Sequence, residues 1–208
     1  GALTEHDVSS IEWAVSGSAS LPEALIEQVR EAFGCPMGEA YGLTETGGPV
    51  TLSPRWGPKK LGSSGLVLPG GDIRIVDPDT LEELPAGEVG ELVISCPGNG
   101  RYFERPGKEA EAFFERDGRR FLRTDDLARQ DEQGYHYIVG RLDDMMIVGG
   151  ENVYPAEVEG LLLKHDAVSD AAVIAAPHAT KGEAPVAFVV TDGSVTEDDL
   201  KQYTIEHG

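Results

Sequence analysis

Between residues 61 and 141 the sequence alternates short β-prone runs with turn residues, and this pattern constrains the fold more than any other feature. DIRIVD runs into DPDT, EVGELVIS into CPGNG, and FLRTDDLARQ into DEQG and then YHYIVG. Runs of this length with turns at this spacing predict a small antiparallel sheet or barrel, interrupted by one helix, GKEAEAFFE. Residues 11–16 (IEWAVS) are a short β-prone run. The next segment places Leu21, Leu25, Val29 and Ala32 at helical spacing, with Ser20 and Glu23 as its cap and Gly34 as its stop. After Arg141 the reading is hairpin (MMIV, GGEN, VY), helix from Pro155 with Val158, Leu161 and Leu162 as its stripe, two strands, and a helix capped by Thr196. The fold class predicted is mixed α+β, with a boundary near residues 142–144.

The 17 basic and 37 acidic side chains leave a net charge of −20. Such a field repels nucleic acid and anionic lipid, so no nucleic-acid partner is expected. An anionic ligand would need local bases, helix N-termini or a metal. Cys35 and Cys96 are far apart in sequence and read as small apolar fillers in a reducing cytosol, with a metal or disulfide role as the alternative. No run is long enough for a membrane span, since VAFVV is of strand length. The first residues show no signal peptide, and a cytoplasmic location is expected. The absence of an initiator Met fits a processed chain or an expressed fragment.

Three stretches carry candidate chemistry. In YGLTE (41–45) a glycine beside an aromatic admits a flat ligand. Thr44 can donate to a phosphate oxygen, and Glu45 can hold Mg²⁺. Taken alone it also reads as a polar turn after a helix. In RTDDLA, an Asp at a strand end can accept from the vicinal hydroxyls of a ribose, and a charged β-turn is the alternative. In GRLDDMMIVGGENVYPAEVE, Arg141 can bond a ribose or phosphate, and Gly149 and Gly150 allow positive φ and close approach. Asp143 and Asp144 lie where a few torsions could rotate one lobe, or form a solvated acid pair beside a glycine turn.

GSAS, YGLTE, RTDDLA and GRLDD with GGEN follow the order of the nucleotide-site motifs of the adenylate-forming superfamily. Over essentially its whole length the chain resembles an AMP-forming acyl-CoA synthetase, and MMIVGGENVYPAEVE resembles the aryl-, alicyclic- and fatty-acyl-CoA ligases. The resemblance implies two half-reactions. A carboxylate attacks the α-phosphate of Mg-ATP to give an acyl-adenylate and pyrophosphate. CoA then displaces AMP after a small lobe rotates. ATP, Mg²⁺ and coenzyme A are the implied cofactors.

By motif, Gly17, Ser18 and Ala19 would lie along the adenine, and Tyr41 would stack on it. Thr44 would hold the α-phosphate, and Glu45 would ligate the metal, these two being the catalytic pair. Asp126 would bind the ribose diol with help from Arg141, Asp143 would be the hinge, and Gly149 and Gly150 would line the CoA channel. Residues 1–60 would end a large α/β domain, 61–142 form its antiparallel β-barrel-like subdomain, and 143–208 belong to the mobile α+β lobe.

The chain departs from the family pattern in three places. Asp125 stands where the family has Gly before the ribose Asp. Neither a phosphate loop ending in Pro-Lys-Gly nor a C-terminal Gly-Lys is found. The text therefore reads as a C-terminal fragment, inactive alone. The alternatives are an acyl-AMP ligase or adenylation domain that loads a carrier protein, a non-catalytic nucleotide-binding relic, and a plain interaction domain.

Overall fold

The computed structural model describes residues 6–18, 23–178, 180 and 182–208. The chain divides into two compact units, residues 1–138 and 139–208.

In the first unit β1 (Ala14–Gly17) runs parallel to β2 (Met37–Leu43). Parallel neighbours need a crossover, and α1 (Glu23–Phe33) supplies it. Gly34 ends α1 at φ +66, its N–H donating to Arg30 O at 2.9 Å. Ser20, the expected cap, lies outside the described residues. A single 3₁₀ turn, Thr44–Thr46, leads from β2 into β3 (Gly48–Leu52), and β4 (Leu66–Val67) completes a sheet of order β1-β2-β3-β4. The YGLTE text is therefore strand and turn together. Gly42 is obligatory at this bend, because a Cβ there would meet Gly48 O at 2.2 Å.

The second sheet comprises β5 (Asp72–Val76), β6 (Gly90–Ser95), β7 (Phe113–Arg116), β8 (Arg119–Gln130) and β9 (His136–Arg141). Its order is β5-β6-β8-β7, with β9 also paired to β8. The sheet is antiparallel where its register is defined, as the sequence predicts, but it does not close. β8 takes β6, β7 and β9 as partners along its length, so the sheet branches instead of curling into a barrel. The expected helix GKEAEAFFE stops early, as α2 (Pro106–Ala112). Phe113 and Phe114 leave it for β7, where Phe114 stacks on Phe121 at 5.7 Å and the Arg120 guanidinium sits 3.5 Å over Phe113. Val50, Ile75, Leu92, Ile94 and Ala128 form a core between the two sheets, with Tyr41 at its edge.

Inside β8 the ladder breaks. Val93 pairs with Arg123 and Glu91 with Leu127, so Thr124, Asp125 and Asp126 oppose Leu92 alone. This is a bulge within a strand, not the charged turn of the alternative reading. Thr124 Oγ1 donates to Leu92 O at 2.6 Å and accepts from the Asp126 N–H at 3.1 Å, so the freed backbone groups find partners. Beneath the bulge, the fully buried Glu91 accepts from Arg123 Nε at 3.0 Å and Nη2 at 2.5 Å.

In the second unit β10 (Met146–Val148) and β11 (Glu151–Val153) form a hairpin. Its two-residue turn is Gly149–Gly150, with φ of +64 and +96, the double positive φ of a type I′ turn. Then come α3 (Pro155–Leu162), β12 (Val168–His178), β13 (Gly182–Thr191) and α4 (Glu197–His207), with sheet order β11-β10-β13-β12. Thr196 caps α4 as predicted, exchanging bonds with Asp199 at 3.3 and 2.9 Å. Met146, Leu162, Val168, Val173 and Leu200 form the core. No described helix is long and apolar enough to cross a membrane.

Asp125 sits at φ +58 in the bulge. That conformation strains any residue with a Cβ, though Asp less than most. Asp125→Gly is expected to raise unfolding free energy by about 0.5–1 kcal/mol, the strain relieved less the added chain entropy. Urea melts of the two chains test this, and a lower midpoint for the glycine variant would sink it.

Candidate functional site

The sequence-predicted residues fall into two groups. Gly17, Ser18, Tyr41, Thr44, Glu45 and Asp126 belong to the first unit, whereas Arg141, Asp143, Gly149 and Gly150 belong to the second. Ala19 lies outside the described residues.

In the first unit, β1 ends at Gly17 beside Ala40 of β2. A Cβ at Gly17 would meet Ala40 O at 3.0 Å, so the neighbouring strand itself favours glycine there. Ser18 follows at φ +71. Tyr41 comes next to Ala40, and its hydroxyl donates to Asp126 Oδ2 at 2.5 Å. Two motifs 85 residues apart in sequence thus meet in one hydrogen bond. Asp126 is 6% exposed. A carboxylate so deeply set carries two oxygens in fixed positions, and such a group can accept from a pair of vicinal hydroxyls. The tyrosine ring packs at the edge of the core, and its hydroxyl orients Asp126.

The Thr44–Thr46 turn follows β2 directly. Thr46 is buried and braces the turn: its Oγ1 accepts from Leu43 N–H at 3.0 Å and donates towards Leu43 O and Gly48 O at 2.8 and 2.7 Å. Thr44 is exposed and Glu45 half-buried. Glu45 Oε1 accepts from the Tyr102 hydroxyl at 3.0 Å. Sequence reasoning missed Tyr102. The signal that could have found it is the glycine pair in CPGNG, two positions apart, just ahead of an aromatic. A divalent cation fits Glu45 as one hard oxygen donor among phosphates and waters, the usual way Mg²⁺ is held. Among the described residues no group of three or more His, Cys, Asp or Glu could hold an ion without such help.

In the second unit Asp143 and Asp144 are exposed in a turn, with Asp144 N–H donating to Arg141 O at 3.3 Å. A Cβ built on Gly149 or Gly150 meets nothing within 4 Å. Positive φ, not crowding, is what calls for glycine at both places in this structure.

Glu39 lies two residues before Tyr41, on the same face of β2. Its backbone is locked to Ser53, which accepts the Glu39 N–H on Oγ at 2.9 Å and donates its own N–H to Glu39 O at 2.8 Å. Burial pushes its carboxyl up to about 6 from 4.5. Between those two values the folded chain holds more proton than the unfolded one, so stability falls as pH rises from about 4.5 to about 6 and stays lower above that. The side chain is only half-buried, so after discounting for solvent screening the cost at neutral pH is about 1 kcal/mol. Glu39→Gln is expected to stabilise the chain by about that amount at pH 8 and by nothing near pH 4.5. Melts across this range check it, and a gain independent of pH would contradict it.

Comparisons with known proteins place the chain in a family. Residues 1–102 match the AMP-binding enzyme family and residues 157–207 the AMP-binding enzyme C-terminal domain. 4-Coumarate–CoA ligase 1 of Glycine max is 35% identical over 209 residues, covering 97% of this chain and 71% of the relative. ATP-bound MatB from Rhodopseudomonas palustris superposes with a TM-score of 0.85 at 36% identity, over 93% of this chain and 38% of that one. The o-succinylbenzoate CoA synthetase MenE of Bacillus subtilis, solved with its acyl-adenylate intermediate, gives 0.83 at 32% identity, over 100% of this chain and 42% of that one. The chain spans 38–40% of the length of several other curated CoA ligases that it matches. The chain belongs to the AMP-binding, adenylate-forming enzyme family.

Proposed function

We propose that the full-length protein is an ATP-dependent carboxylate–CoA ligase. It joins a small carboxylic acid to the α-phosphate of ATP, releases pyrophosphate, and passes the acyl group to the thiol of CoA with release of AMP. The observation that carries this reading is the Tyr41–Asp126 hydrogen bond, which fixes a buried carboxylate to the strand that leads into the turn bearing Thr44 and Glu45. The names of the relatives support it, since they are acyl- and aryl-CoA ligases, one of them solved with an acyl-adenylate.

Each residue then has a defined task. Asp126 accepts from the ribose hydroxyls, with Arg141 assisting. Gly17, Ser18 and Ala19 flank the adenine along with Tyr41. The Thr44 hydroxyl donates to an α-phosphate oxygen, and Glu45 supplies a carboxylate oxygen to Mg²⁺, which when bound offsets the charge that gathers on the phosphates. Preorganised donors of this kind supply most of the rate in reactions that build charge on phosphate. Asp143 is the hinge on which the smaller unit turns between the two half-reactions. The Gly149–Gly150 turn borders the path of the CoA arm.

Titration of the chain with AMP, beside an Asp126→Ala variant, tests the nucleoside site. Loss of a carboxylate that accepts from two hydroxyls is expected to weaken AMP about 10–100-fold. The reaction is tested on the full-length protein with ATP, Mg²⁺ and a panel of aryl, alicyclic and fatty acids, by following pyrophosphate and the thioester. Adenylate formation without transfer to CoA, but with transfer to a pantetheinylated carrier protein, would replace CoA ligase by carrier loading.

A further inference from the structure

The loop between β6 and α2 lies outside every motif used so far, yet it holds the Thr44–Thr46 turn at three successive points. Gly98 lies so close to this turn that a Cβ there would meet Thr46 O at 2.1 Å. Gly100 N–H donates to Glu45 O at 2.7 Å. The Tyr102 hydroxyl donates to Glu45 Oε1 at 3.0 Å. Every second residue of the loop therefore meets the turn, ending on its one carboxylate.

Tyr102 is itself held from behind. Its N–H donates to Glu109 Oε2 at 2.8 Å, and the other oxygen of Glu109 pairs with Arg120. Arg120 in turn donates to Gly100 O at 3.0 Å. The Lys108 ammonium sits 4.4 Å over the Tyr102 ring. A phenol fixed in this way offers its proton in one direction.

A glutamate on a short turn samples several rotamers, and fixing it on an ion costs side-chain entropy. Holding one oxygen in advance removes part of that cost and leaves the second oxygen for the ion. A neutral phenol does so without cancelling the carboxylate charge, as a lysine or arginine in the same place would. We propose that Tyr102 is a positioning residue for the divalent cation at Glu45, its hydroxyl orienting the carboxylate and thereby setting how strongly the ion and the nucleotide reinforce one another. This rests on the reading of Glu45 as the metal ligand.

The test is the linkage between ion and nucleotide. ATP affinity of the full-length protein is measured by calorimetry in EDTA and in Mg²⁺, without carboxylic acid or CoA, for wild type, Tyr102→Phe and Glu45→Ala. The expected result is an ATP affinity in EDTA unchanged by Tyr102→Phe, and a gain from Mg²⁺ cut about tenfold, the low end of one hydrogen bond to a charged group. Glu45→Ala should remove the gain entirely. If Glu45→Ala removes the gain and Tyr102→Phe keeps it, the tyrosine has no such role. If Tyr102→Phe weakens ATP equally in both buffers, it supports only the fold, and the proposal falls. If Glu45→Ala keeps the gain, the metal reading itself fails and the proposal fails with it. Should the Phe variant not fold, 4-aminophenylalanine at 102 keeps ring and donor and should keep most of the Mg²⁺ gain, whereas 4-methylphenylalanine, of similar length without a donor, should lose it. Equal gains in the two overturn the inference.

Discussion

The first unit depends on one hydrogen bond, that from the Tyr41 hydroxyl to Asp126. Its two ends belong to different sheets, β2 on one side and β8 on the other. Apolar packing between the sheets brings these strands together, with Val50 from one and Leu92, Ile94 and Ala128 from the other. Packing is non-directional and would tolerate small slips. The hydrogen bond is directional, and it involves a carboxylate that is almost wholly buried, so leaving it unmade would be expensive. The same contact that sets the sheets against each other therefore sets the carboxylate.

A second layer supports the first. Glu91, opposite Leu127 on β6, is fully buried and engaged by Arg123 on β8. It also lies within a long 3.4 Å of the Asp125 N–H. An acid so placed would be a liability without its guanidinium. With it, the base of the bulge is fixed, and Thr124 closes the gap against Leu92 O. Every residue of Arg-Thr-Asp-Asp thus has a distinct part: ion pair, backbone bridge, positive φ, and the buried acid that takes the Tyr41 hydroxyl.

Much of this was legible beforehand, and the reasons differ by element. The β10–β11 hairpin was readable because two adjacent glycines between apolar runs leave few other turns. The α4 cap was readable because Thr196 and Asp199 stand at the right spacing. The end of α2 was not, because Phe113 and Phe114 suit a helix locally and are drawn into β7 by Phe121 and Arg120, which lie on the next strand. Sheet closure was not readable either, since strand runs with turns between them fit an open and a closed sheet equally. Of the site, the motif residues were visible as text. Their grouping was not, because the Tyr41–Asp126 and Glu45–Tyr102 contacts join segments 85 and 57 residues apart.

The bulge in β8 also bears on how this sequence can change length. Three residues stand opposite one, so β8 carries two surplus residues relative to β6. An even surplus leaves the alternation of faces beyond the bulge in step with the partner strand. Removing a single residue from Thr124–Asp126 would make the surplus odd and turn Leu127 and Ala128, both buried, towards the wrong sides of the sheet. Removing two would restore the pleat and delete the bulge together with the contacts of the residues removed. The ordinary expectation that a shorter deletion is the milder one is therefore reversed at this place. Length variants that retain a folded sheet should differ here by pairs of residues.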